Sequence, residues 1–180
     1  MSAYARAYTT TVAGTSYGNE VTFDNTYYTG AMYGGGTIFY VDSTGEHGLI
    51  SANNDLTANE GWGCEGVPVP GTLAKIGSGQ ANTNAMIQKC SAAQSAARVC
   101  DELLLNGYSD WFLPSKDELN EMFVHRETIG GFSVTAYWSS TEYKSEAPEG
   151  MLAWLQWFNT GDQFYSLKGN ECYVRAIRAF

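Results

Sequence analysis

Positive charge is what this chain has least of. Ten Lys and Arg stand against nineteen Asp and Glu in 180 residues, a formal charge of −9 with charged residues at only 16%. Phosphate backbones and anionic membrane surfaces are bound by clustered cations that displace counterions. Nucleic acid is therefore excluded as a partner class. No apolar run approaches the roughly 20 residues of a membrane span, so membrane insertion is excluded as well. The stretch Met1-Ser2-Ala3-Tyr4-Ala5-Arg6 lacks the apolar core of a secretory leader. The expectation is a chain with no signal peptide and no visible address. Transport on a virus particle, or display at a cell surface through a partner, would still let it act outside a cell.

The residue groupings of metal and catalytic sites are also missing. Cys64, Cys90, Cys100 and Cys172 form no CxxC pair and no metal-like spacing, which predicts neither metal nor cofactor. Cys90 and Cys100 are predicted on one helix, about 15 Å of rise apart, too far to bridge each other. Incidental buried thiols and a bridge from Cys64 to a helix cysteine both stay open. His47 and His125 have no Ser or Cys partner at a recognisable spacing. Gly34-Gly35-Gly36 runs into a strand pattern with no following helix or Lys-Ser/Thr, which is no phosphate loop. The expectation is a chain with no catalytic residues.

Aromatics are abundant at 14%, and twenty glycines accompany twelve tyrosines. That balance suits many turns between short strands in one α+β domain large enough to build its own core. Residues 1–33 read as an irregular N-terminal segment, of irregular strands or an arm, packed on or leading into the domain, and 34–180 as the domain. Thr37-Ile38-Phe39-Tyr40-Val41-Asp42 and Gly48-Leu49-Ile50-Ser51 flank a turn and predict a β-hairpin. Apolar residues recur at helical spacing over 82–105, with Asn82 or Thr83 to cap the start and Asn106-Gly107 to stop the end. Ser115 and Glu118 make a capping box for a second helix ending before Gly130-Gly131, with Leu113 stapling onto Leu119. Asp110 is expected to accept loop N–H groups and Trp111 to fill core.

The last forty or so residues are fixed words separated by slots of no common chemistry. The words are Tyr137-Trp138-Ser139-Ser140-Thr141, Ala153-Trp154 and Tyr173-Val174-Arg175-Ala176-Ile177-Arg178-Ala179-Phe180. Leu155, Trp157, Asp162, Phe164, Tyr165, Leu167 and Cys172 fill slots and share only an expected exposure. Alternation over 153–158 places Trp154, Gln156 and Phe158 on one strand face and Leu155 and Trp157 on the other. With the Trp154 face inward, Leu155 and Trp157 look outward.

Together with Asp110-Trp111-Phe112-Leu113-Pro114-Ser115-Lys116-Asp117-Glu118-Leu119, these words resemble the C-terminal domain family of collagen-like bacterial adhesins, over about 34–180. The resemblance implies a C-type lectin-like fold of two helices and small antiparallel sheets with long loops, presenting ligands at one end. The pattern Ala153-Trp154-x-Gln156-x-Phe158-x-x-Gly161-x-Gln163, then Lys168 and the Tyr-Val-Arg word, is similar to the variable region of diversity-generating retroelement proteins. In those systems template adenines are copied with errors, so that asparagine codons become randomised.

That resemblance implies a variable region of about 137–180. Its ligand-binding surface would comprise Tyr143, Ser145, Leu155, Trp157, Asn159, Thr160, Asp162, Phe164, Tyr165, Ser166, Leu167, Gly169, Asn170, Glu171 and Cys172. Trp157 and Glu171 cannot arise from randomised AAC or AAT codons and depart from the simplest template. The function implied is non-enzymatic receptor binding, with a protein ligand on a cell or virus surface. The alternative is a carbohydrate-binding adhesin of fixed specificity, with a glycan as ligand.

Overall fold

The computed structural model describes residues 3–23, 27–90, 94–144 and 149–180. An antiparallel hairpin of β1 (Ala3–Thr11) and β2 (Gly14–Phe23) comes first. The segment read as irregular strands or an arm thus holds a regular hairpin. The short β3 (Met32–Tyr33) follows, then the predicted hairpin as β4 (Gly36–Val41) and β5 (Gly48–Ser51), and β6 (Thr57–Gly61). With β11 (Ile177–Ala179), three of these build a four-stranded sheet in the order β11-β5-β4-β3.

The helical stretch expected over 82–105 is two helices, α1 (Gly79–Lys89) and α2 (Ala96–Asp101). Cys90 is extended and bridged to Cys64, with 4.8 Å between the Cα atoms, so the chain leaves the helical path there. Ser95 starts α2 afresh, its hydroxyl accepting the Arg98 N–H at 3.3 Å. Asn82 and Thr83 are consequently buried inside α1 and are not its cap. Asn106 and Gly107, both at positive φ, form the tight turn between the bridged Leu105 and Tyr108.

The capping box forms as expected at α3 (Lys116–Val124): Ser115 Oγ accepts from Glu118 N–H, and the Glu118 carboxylate accepts from Ser115 N–H at 2.7 Å. The same carboxylate accepts from Gly77 N–H at 2.8 Å. Burial pushes its pKa up, and these backbone donors oppose the rise. Leu113 and Leu119 belong to different core clusters, so the expected staple does not organise this start. A last short helix, α4 (Arg126–Ile129), ends at Gly130.

The second sheet holds β7 (Ala136–Glu142), β8 (Leu152–Trp157), β9 (Gln163–Leu167) and β10 (Glu171–Val174), ordered β6-β10-β7-β8-β9. Its pairings are antiparallel except β10 with β7. Both faces are covered. Ala136 and Trp138 join a cluster with Met86, Ala96, Ala97 and Cys100 from α1 and α2. Tyr137 joins Leu119, Met122, Ile129 and Phe158 on the face of α3 and α4. This mixed α+β architecture is the C-type lectin-like class that the resemblance implies, with each expected helical region broken once.

The terminal Tyr-Val-Arg word locks the two sheets together. Buried Arg175 donates to Asp55 at 2.7 Å and to the carbonyls of Ala52 and Gly131. Arg178 makes a two-pronged pair with Asp110, at 2.8 and 2.7 Å. Asp110 therefore serves chiefly the terminal strand, with its own N–H the backbone donor that the loop adds, while Trp111 is core as expected.

Candidate functional site: the β9 edge and its two turns

The fixed residues of the C-terminal pattern clamp the turns between the slots. Gly161 has φ of +88°, and a Cβ there would overlap the Phe123 ring, so only glycine fits. Gln156 is buried and donates from Nε2 to Asn120 Oδ1 at 2.9 Å and to the Gly161 carbonyl at 3.0 Å. Gln163 donates to the Lys116 carbonyl at 2.9 Å, fastening the start of β9 to α3. The β8–β9 turn is closed by Gly161 N–H on the Trp157 carbonyl at 2.7 Å. Each of these residues holds backbone and leaves its neighbours free.

Lys168 anchors the second turn, between β9 and β10. Its buried ammonium donates to Glu142 Oε1 at 2.6 Å and to the Val67 carbonyl at 2.9 Å, and it lies 4.4 Å from the Trp62 ring centroid. Burial pulls its pKa down, and the Glu142 hydrogen bond opposes that fall. Glu142 also accepts Val69 N–H at 3.1 Å.

The slots separate by burial. Trp157 is 42% exposed, Phe164 59%, Tyr165 42% and Leu167 47%. Asn159, Thr160, Asp162, Gly169, Asn170 and Glu171 are exposed as well, and Ser166 is half-buried. These residues line β9, the edge strand of its sheet, and the turns on either side of it. Tyr143 is half-buried and joins them from beyond β7, its ring stacked on Tyr165 with centroids 4.0 Å apart. Ser145 lies outside the described residues.

Leu155 and Cys172 do not share the expected exposure. Leu155 sits opposite Trp138 in the cluster beneath α1 and α2, 5% exposed. The expectation assumed one covered sheet face, and the first two helices supply a second layer. Cys172 is on β10, an interior strand, where burial pushes its thiol up to about 12. Trp154 also departs from the simple inward assignment: it is half-buried, with Lys116 Nζ 4.0 Å from its ring centroid and Tyr143 edge-on at 5.2 Å.

A cleft of about 210 Å³ opens beside Tyr143, walled by Pro68, Pro70, Lys144 and Gly150. Pro68 and Pro70 carry no local signal for this, because the Glu142 bond to Val69 brings their loop across more than seventy residues. Among the described residues, no group of three or more His, Cys, Asp or Glu side chains is placed to hold a metal, and no helix is long and apolar enough to cross a membrane. The surface can offer flat aromatic area, amide and hydroxyl hydrogen bonds, and acidic groups at Asp162 and Glu171.

No curated protein matches the chain. A family profile described as the Lcl C-terminal domain matches residues 68–178, taking in α1 to α4, β7 to β10 and the clamped turns. With well over half of its length inside that match, the chain belongs to the Lcl C-terminal domain family.

Proposed function

We propose that this chain is a non-enzymatic, adhesin-like receptor-binding domain whose ligand surface is the β9 edge with its two turns. One observation carries the reading: the fixed residues of the pattern are buried or bonded to backbone, whereas most slots between them are exposed. Exposed substitutions usually move stability by no more than about 0.5 kcal/mol, so such a surface can change while its scaffold stays. Trp157, Phe164 and Tyr165 supply rigid contact area of the kind paratopes use, and Ser166, Asn159 and Asn170 supply adaptable hydrogen bonds. Diversification by a retroelement with adenine mutagenesis is the source we infer for the slots. A protein on a cell or virus surface is the ligand class this chemistry favours. The Cys64–Cys90 bridge supports action in an oxidising setting outside the cytosol.

The test is a library randomised at Trp157, Asn159, Asp162, Phe164, Tyr165 and Leu167, displayed and selected against unrelated protein ligands. Members should keep the parental unfolding midpoint while acquiring different ligands. A library that unfolds wholesale would sink the reading. Selective retention on a glycan array would move it to the carbohydrate adhesin. A reverse transcriptase gene beside a near-copy of the coding stretch for 153–180 is the outcome expected of the genome, and its absence removes the retroelement.

A further inference from the structure

The β1–β2 hairpin has no role in the surface just described, and its side chains from Arg6 to Glu20 bury no core of their own. Every residue from Arg6 to Glu20 is exposed, including Tyr8 at 71% and Tyr17 at 62%. Among the described residues, neither core cluster draws on the hairpin. Among the described residues its strands, 9 and 10 residues long with one register shift between Arg6 and Tyr8, pair only with each other, which leaves two outer edges whose N–H and C=O groups meet no strand. An isolated two-stranded hairpin is marginal in water, and three or more strands are needed for independent stability. Edges this long and this poor in charge are templates for further pairing.

Charge indicates which partner fits. The hairpin holds one cation and one anion, Arg6 and Glu20, which face each other at 3.4 Å. Its net charge is zero, so the formal −9 of the whole chain lies entirely outside it. Copies of so acidic a molecule repel one another on net, and a neutral element meeting its like adds nothing to that repulsion. A second hairpin of the same sequence offers matching edges at no electrostatic cost, and self-complementary pairing about a two-fold axis is the commonest way for identical chains to join.

We propose that the β1–β2 hairpin is a homotypic assembly element, through which a second copy of this chain adds its strands to the edge of the first. Each added copy brings another β9 surface, so weak single contacts are strengthened by avidity without any new contact chemistry.

Light scattering on the full chain should give a mass that is a multiple of 19.6 kDa. The double substitution Tyr8→Glu with Thr10→Glu, which places like charges on the edges that meet, should return it to a single copy. Tryptophan fluorescence should report the same unfolding midpoint for that variant diluted to the same single-copy state as the parent. Hydrogen exchange should show protected amides in β1 or β2 of the parent that become unprotected in the variant. A parent that stays monomeric at every concentration overturns the proposal. So does a variant that keeps the parental mass, or a parental oligomer whose hairpin amides exchange freely.

Discussion

Lys168 Nζ stands 2.6 Å from Glu142 Oε1, and the two side chains are 0% and 6% exposed. The pair fixes the β9–β10 turn, the end of β7 and the loop of Val67 to Val69 at one point. Removing one member leaves the other as a buried charge without its counter-ion, held only by backbone groups. Lys168→Met should cost about 3 to 5 kcal/mol by chemical denaturation. Lys168→Met combined with Glu142→Leu should recover most of that loss, and a double variant as unstable as the single one would show that the two charges do not act as a unit.

The contrast between Leu155 and Phe164, cross-strand partners on β8 and β9, is equally measurable. Leu155→Ala empties a core position and should cost about 2 to 5 kcal/mol. Phe164→Ala changes an exposed ring and should stay within about 0.5 kcal/mol. Denaturant midpoints of the two variants give the comparison directly.

The bridge of Cys64 to Cys90 closes a sequence separation of 26 residues. Loop-closure entropy for that span corresponds to about 3.5 kcal/mol. The paired substitution Cys64→Ser with Cys90→Ser should lower stability by about that amount, and a reducing agent should lower the thermal midpoint of the parent but not of the variant.

Cys100 and Cys172 are the free thiols, both buried, and burial raises the pKa of each. The thiolate is the reactive form. The folded chain at pH 8 should therefore resist alkylation, and denaturant without reductant should release two reactive thiols. Rapid labelling of the native chain would contradict the placement of Cys172 inside the sheet.

Asp110 is held below the usual carboxylate range by its hydrogen bonds from Arg178, against a smaller opposing effect of burial. A carboxylate whose folded pKa is depressed adds stability above its unfolded pKa and loses it as pH falls through the folded value. Asp110→Asn should therefore flatten the acid side of the stability profile below about pH 4, with little change in its shape near neutrality. The effect is modest, because the Asp110 side chain is 54% exposed.

What could be read from the sequence is what is fixed locally. The capping box needs only Ser115 and Glu118, and the turn before β9 favours a glycine at 161 for its positive φ before any tertiary contact is considered. The positions of β4, β5, β8 and β9 follow from alternation and turn residues in the same way. Leu155 and Cys172 were illegible because their burial depends on α1 and α2, which pack against the sheet from more than fifty residues away in sequence. The break between α1 and α2 is an intermediate case. Ser95 is a cap signal present in the chain, but apolar residues on both sides of it continue the helical period, and the deciding constraint is a bridge to distant Cys64.

Strand β9 is last in the spatial order of its sheet, yet in the chain it lies between β8 and β10, which occupy interior positions. Lengthening its turns at the exposed tips, at Asn159 and Thr160 or at Gly169 and Asn170, between the clamped residues, would leave the β8–β9 pairing and the register of the interior strands intact. Those tips can therefore take insertions without disturbing the rest of the sheet. Reach, and not only side-chain chemistry, can vary on this scaffold.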